Sequence, residues 1–398
     1  MKALFSVSAR VMAMLCLVFS LVLIPAGKAV AASEAPIRIG AVFSLTGKDS
    51  FVGPLVGAPM KQAVTAVVND INGKGGVLGR RIELFAEDDH TNPAAAAAAA
   101  TRLIRDKLVS VMIGPSITAS AFTMIPVCEQ EQVPLIVTGP AVTPFEKWVF
   151  FLGAGEVRGA KHIAEFAVKT LRAKRIAVLH DTSDYGMSGN RDLLKSLLAY
   201  PGVSIVVQDQ FAPSDTRVTA QLSRIKAANP DLLILYTNGA SAAVIAKEYK
   251  QMGMKTRVLG SHGVPTTEFL KLAGSAAEKY GWVMIGSKIV IAGNIPPNDP
   301  YRRNLYDPFL RLMKKKYGPS TELSVYQAAA YDGISVAIAA IKAAGTDDRA
   351  AVRSALERIR WKGFVGTFAC TPRDHQGSPR DDSPAMMVKN GEYVPYER

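Results

Sequence analysis

Cysteine and histidine are scarce. The 398-residue chain holds three cysteines and five histidines. The histidines, His90, His162, His180, His262 and His375, are scattered. No pair of these residues stands at the short spacing of a metal motif, so the expectation is no metal and no cofactor. Catalytic signatures are missing too. The segment Gly40 to Asp49 ends in Gly-Lys-Asp, which is not a phosphate-binding loop, and no GxGxxG follows it. No Gly-x-Ser-x-Gly elbow occurs, and His162-Ile163-Ala164-Glu165 lacks the second histidine of a zinc helix. The adjacent acids Asp88-Asp89 read as loop caps. These absences exclude the common hydrolase and nucleotide-dependent classes, and the expectation is that the chain is not an enzyme.

Long apolar runs are absent except near the start. Val11 to Ile24 is short for a membrane span of roughly 20 residues. Lys2 and Arg10 precede it, Pro25 and Gly27 break it, and Ala29-Val30-Ala31 supplies small residues. That order reads as a secretory signal over 1–31, cleaved after Ala31, and the expected location is the periplasm. Cys16 leaves with it. Cys128 and Cys370 remain, either bonded or as two separate thiols. Acids are few relative to bases: 34 against 47, a net +13. Lys2, Arg10 and Lys28 lie in the signal and no acid does, so 13 − 3 leaves +10. In an exported protein, Lys314-Lys315-Lys316 reads as a solvated face and not a nucleic-acid site.

What is present is a steady alternation. Ile37 to Phe43 reads as a buried strand. A helix opens at Gly53-Pro54, with Met60, Val64, Val67 and Ile71 at helical spacing. Further strands are expected over 81–87, 109–113, 133–137, 149–152, 175–179, 203–207, 231–236, 257–260 and 282–285, with helices between them. Asn92-Pro93 caps a helix that runs through the alanines 94–100. The length exceeds what one core usually serves, and the rhythm restarts after residue 152. The fold class is therefore α/β: two doubly wound parallel-sheet lobes with helices on both faces. Ligands of such sheets bind at the carboxyl ends of strands. The segments there, including 114–118, 138–144, 181–186, 237–239 and 261–263, are rich in hydroxyls and glycine.

Those segments resemble the leucine/isoleucine/valine-binding family of periplasmic proteins that serve branched-chain amino acid ABC importers. The resemblance is carried by Leu45-Thr46-Gly47, by 69–76 (NDINGKGG) with Leu78-Gly79, and by Glu87-Asp88-Asp89. It continues in Ile113-Gly114-Pro115, Val133-Pro134-Leu135-Ile136, His180-Asp181 with Tyr185-Gly186, Asn229-Pro230-Asp231 and 269–274 (FLKLAG). It implies a type I periplasmic-binding fold with a three-strand hinge, crossing near 153–156, 285–288 and 377–384. The lobes would be 35–153 plus 287–377, and 154–286 plus 378–398. It further implies a monomer that binds a small carboxylate in the cleft and hands it to a membrane permease. A sensing module feeding a signalling partner is the alternative.

Residue by residue, the family's carboxylate-binding positions fall on Thr118, Thr143 and the backbone near Ala141. Its cleft tyrosine falls on Tyr185, and Ser116 and Phe51 complete the expected lining. Two positions depart from the family pattern. Where amino-acid binders carry an acid for the ligand's ammonium, this chain carries His262, and Gly239 or a neighbour replaces a second cleft tyrosine. The first departure suggests a ligand without an ammonium group, unless His262 only caps its loop. The second suggests room for a larger solute. Arg158, near the first hinge, is a weaker candidate for charge pairing, with a solvated arginine as the plainer reading.

Overall fold

The computed structural model describes residues 35–47, 52–139, 146–153, 155–278, 281–378, 381 and 383–397. Phe51, Ala141 and Thr143, expected in the cleft, lie outside them, as does the segment 1–31.

Two sheets organise the chain. The first contains β1 (Ile37–Phe43), β2 (Ile82–Asp88), β3 (Val111–Gly114), β4 (Leu135–Val137) and β5 (Val149–Phe151), paired in the order β2-β1-β3-β4-β5. All four pairings are parallel. The second contains β6 (Arg175–Asp181), β7 (Ser204–Phe211), β8 (Leu232–Tyr236), β9 (Arg257–Gly260) and β10 (Val283–Ile285), in the order β7-β6-β8-β9-β10. Counted from its own first strand, each block has the same order, 2-1-3-4-5, whose ligand crevice lies where the order reverses. The expected strands are all present, with ends displaced by up to four residues.

The sequence reading missed the C-terminal strands. After the short hairpin β11 (Trp361–Lys362) and β12 (Thr367–Phe368), β13 (Ala385–Lys389) and β14 (Glu392–Pro395) extend the second sheet beyond β10 in antiparallel fashion. The second sheet is therefore mixed.

The helices are α1 (Ala58–Gly73), α2 (Pro93–Arg105), α3 (Thr118–Glu131), α4 (Gly155–Glu165), α5 (Asp184–Leu197), α6 (Thr219–Ala228), α7 (Gly239–Gln251), α8 (Thr267–Ala273), α9 (Asp307–Tyr317), α10 (Val325–Ala344) and α11 (Arg349–Leu356). Asn92 caps α2 by accepting from the amides of Ala94 and Ala95 at 2.9 and 3.2 Å. Successive strand residues point to opposite faces, and the cores divide accordingly. Val111 and Ile113 pack with α1 and α10, while Met112 joins α2 and α3. In the second sheet Leu233 and Leu235 face α6 to α8, and Leu232, Ile234 and Tyr236 face α4 and α5. That register aims Tyr236 at the start of α4.

Three passages link the sheets in sequence: after β5, after β10, and before β13. They are hydrogen-bonded to one another. The amide of Ser378 donates to the Gly153 carbonyl at 2.9 Å, and that of Gly286 to Pro384 at 3.2 Å. Phe151 forms a parallel bridge with Gln376. Among the described residues, no single helix is long and apolar enough to cross a membrane. Cys128 and Cys370 are separate buried thiols, which settles the open pairing.

Candidate functional site: a cavity at the strand ends

A cavity of about 210 Å³ opens at the carboxyl ends of both parallel blocks. This is compact beside the roughly 300–1,000 Å³ of drug-sized sites. Two larger cavities, about 510 and 590 Å³, are lined by helices, loops and the C-terminal hairpins and reach no parallel strand end. The fold rule therefore favours the smaller one.

Its two walls differ in chemistry. One follows β4 and β5 and consists of Val137, Thr138, Gly139, Phe151, Leu152 and Gly153, with Val365 after β11. Among the described residues, no ionisable side chain lies on it. Thr138 spends its hydroxyl on the Pro115 carbonyl at 3.1 Å. Gly139 packs so closely that a Cβ there would meet the Pro115 oxygen at 2.9 Å.

The other wall carries Glu156, Tyr236, His262 and Asp381, with Gly155, Gly159 and Ser383. Glu156 stands in the first turn of α4, and Tyr236 donates its hydroxyl to Glu156 Oε2 at 2.6 Å. Burial raises the Glu156 carboxyl to about 7, against the lowering effects of the Tyr236 hydrogen bond and of His262. Tyr236 is itself pushed well above its ordinary value, by burial first and then by Glu156.

His262 follows β9 and hydrogen-bonds through Nε2 to Asp381 Oδ2. His162 Nδ1, from α4, lies 3.3 Å from the same oxygen, and the amide of Ser383 donates to Oδ1 at 2.9 Å. Burial alone would lower the His262 pKa. The Asp381 charge, the hydrogen bond to it and Glu156 together raise it instead. Burial likewise opposes charge on Asp381, but His262 and the hydrogen bonds from His162, His262 and Ser383 hold it far below the usual carboxylate range. Gly159 makes room for this pair: a Cβ there would sit 3.2 Å from His262 Cε1.

The histidines that look scattered in sequence thus converge in part. One ligand atom each of His162, His262 and Asp381 lies within 4.8 Å of the others, a donor set a divalent cation could bridge. His262, however, bonds directly to Asp381 through the nitrogen a metal would need, since both ligands of one ion direct lone pairs at it. The arrangement is an ion pair.

The remaining expected residues lie outside the lining. Ser116 is buried one layer behind Gly139 and accepts from the Ser44 amide at 3.1 Å. Thr118 is buried at the first position of α3. Tyr185 lies behind Tyr236, with ring centroids 5.2 Å apart. Its hydroxyl donates to Ser261 and accepts from the Gly263 amide, at 3.2 and 3.0 Å. Gly239 begins α7, where a Cβ would come within 2.1 Å of Thr266 Oγ1. This corrects the expected extra room, because Thr266 already fills that space.

Two more corrections follow. The missing acid at position 262 does not leave the cavity without one, since Glu156 and Asp381 line it, so the inference from position 262 to an ammonium-free ligand loses its basis. Arg158 is not solvated: it donates to the carbonyls of Gln376 and Ser378 at 3.0 and 2.8 Å and pairs with Asp374, clasping the third passage. Asp88 and Asp89 are consumed by their loops, accepting from Leu45, Thr46 and His90, and from Thr91 and Ser120. Sequence reasoning missed Glu156, although it follows a strand end as the chosen segments do.

Comparison with known proteins agrees with this fold. The periplasmic binding protein family profile matches residues 36–392. The Leu/Ile/Val-binding protein homolog 3 of Brucella melitensis is 27% identical over 357 residues, covering 88% of this chain and 91% of that protein. The leucine-, isoleucine-, valine-, threonine-, and alanine-binding protein of Pseudomonas aeruginosa is 25% identical, covering 88% and 90%. An extracellular ligand-binding receptor from Rhodopseudomonas palustris HaA2 superposes with a TM-score of 0.80 at 26% identity, over 91% of this chain and 100% of that one. The chain belongs to the periplasmic binding protein family, whose members bind solutes and are not enzymes.

Proposed function

We propose that the protein is the extracytoplasmic solute-binding component of an ABC importer, that it takes a small carboxylate into the strand-end cavity, and that it delivers this solute to a membrane permease. The observation that carries the reading is the cavity itself, placed where two sheets of identical strand order both direct their carboxyl ends. The relatives named as binding leucine and its neighbours support the solute class. In this reading the carboxylate is received on the neutral side through hydroxyls and backbone amides, those of Ser116, Thr118, Ala141 and Thr143 as the family resemblance implies, without a buried counter-charge. The lobes 35–153 plus 287–377 and 154–286 plus 378–398 close about the three passages. The segment 1–31 directs export to the periplasm.

A thermal-shift screen of the chain from residue 32 tests this. The panel is the aliphatic and aromatic amino acids and the corresponding simple carboxylates. A solute present at 100 times its Kd adds about 2.7 kcal/mol of stability, so a clear rise in Tm is expected for at least one member. No shift with any member of either series would sink the reading.

A further inference from the structure

One of the two cavities that reach no parallel strand end lies between α1, α9 and α10, with Trp361 of β11 in its lining. Its volume, about 510 Å³, falls within the roughly 300–1,000 Å³ of small-molecule sites. It shares no lining residue with the strand-end cavity. Its lining is sorted by chemistry. Phe309 and Ile338, both buried, and Tyr331 and Trp361, both half-buried, supply aromatic and apolar surface. The rings of Phe309 and Tyr331 lie 4.5 Å apart. The charged lining residues are four bases, Lys74, Arg311, Lys315 and Lys342, and one acid, Asp70.

That acid is already matched. Lys74 donates to Asp70 at 2.6 Å. Asp307, one turn before Arg311 on α9, accepts from Arg302 at 3.3 and 3.2 Å. Arg311, Lys315 and Lys342 are exposed, and among the described residues none of them has an acidic partner. Arg311 and Lys315 also stand one turn apart on one helix, a spacing at which like charges repel. Lys315 and Lys342 lie in the last turns of their helices, where the helix dipole favours a cation. The dipole accounts for those two. It accounts neither for Arg311 nor for three unmatched cations around one apolar cavity.

We propose that this cavity is a second ligand site, separate from the solute cavity, and that it takes an amphipathic organic anion: an aromatic body carrying a carboxylate, sulfonate or phosphate group. The aromatic body lies against Phe309, Tyr331 and Trp361 and leaves water there. The acid group meets Arg311, Lys315 and Lys342. Arg311 offers a planar fork of donors to two of its oxygens, and the lysines add point charges. A hydrocarbon without an acid group would leave the cations unmatched, and an inorganic anion would leave the apolar lining wet. Only a molecule with both parts uses both halves of the site. This site goes beyond the solute-receptor reading and does not depend on it.

The experiment is a fluorescence titration of the chain from residue 32 with two probes of similar shape. One is 8-anilinonaphthalene-1-sulfonate, and the other is its uncharged analogue N-phenyl-1-naphthylamine. We expect the sulfonate to saturate one site and to bind at least tenfold more tightly than the uncharged probe. In the double variant Arg311→Ala, Lys315→Ala its affinity should fall at least tenfold, towards that of the uncharged probe. Ala339→Phe fills the lining from α10 and leaves every charge in place, and it should abolish the binding. Melting curves read the folding of both variants. The double variant alters only exposed side chains, so it carries the test even where Ala339→Phe unfolds. Equal affinity for the two probes overturns anion recognition. Sulfonate binding unchanged in the double variant, or in a folded Ala339→Phe, places the probe elsewhere and overturns the site. Absence of saturable binding overturns it outright.

Discussion

The two walls of the cavity come from blocks with the same strand order, yet they are built from opposite materials. Among the described residues, the β4–β5 side presents backbone, glycine and apolar side chains, and the lining hydroxyl of Thr138 is already committed. The β8–β9 side presents a half-buried carboxyl, a phenol and a histidine–aspartate pair. The contrast shows that strand order fixes where the cavity lies, while the residues placed at the strand ends fix which charges line it. A neutral wall works alike at any moderate pH. A titratable wall does not, and that difference is open to experiment.

The largest effect is expected on the ion pair. Asp381→Asn leaves His262 without its counter-charge, and breaking such a buried pair costs about 3–5 kcal/mol. The raised pKa of His262 gives stability that is fully present below its unfolded pKa and is lost as pH rises through the folded one. The penalty of Asp381→Asn should therefore be greatest near pH 6 and shrink in alkali. A denaturant series from pH 6 to 9 measures this, and a penalty independent of pH would show that the pair is not ionised.

Glu156→Gln should act in the opposite direction. The folded carboxyl titrates near 7, above its unfolded value, so it costs nothing below the unfolded pKa and an increasing amount as pH rises. Removing it should stabilise the empty protein by about 3 kcal/mol at pH 8 and scarcely at all near pH 4. Urea midpoints of both proteins at the two pH values decide it. Gly239→Ala tests packing alone. The new methyl meets Thr266, and overpacking of this kind costs about 1–3 kcal/mol at every pH. On the neutral wall, Thr138→Val removes one hydrogen bond to Pro115, for about 1 kcal/mol, again without pH dependence. A strong pH dependence there would erase the distinction between the walls.

Much of this architecture is legible in the sequence, because buried parallel strands are nearly continuous apolar runs. Ile37–Phe43, with six of seven residues buried, and Leu232–Tyr236, buried throughout, announce themselves. The pair β13 and β14 does not, since its exposed and buried residues alternate and Lys389 to Glu392 is a polar turn. The site was less legible. Position 262 was visible as a departure from the family pattern, but its partner lies 119 residues away in a stretch of turns. Glu156 bonds across 80 residues, and nothing in the local spacing joins it to Tyr236. The rule that ligands meet strand ends would have found it, had the segment after β5 been weighed with the others. Arg158 reaches 216 to 220 residues along the chain, beyond any local pattern.

The most direct test is the affinity of wild type and of Glu156→Gln for the same amino acid between pH 5.5 and 8.5. As Glu156 ionises in the empty cleft, we expect wild-type affinity to change by about tenfold or more across this range, and the variant to stay flat. Wild-type affinity that is constant with pH would contradict a cleft in which one wall is neutral and the other carries a titrating carboxylate.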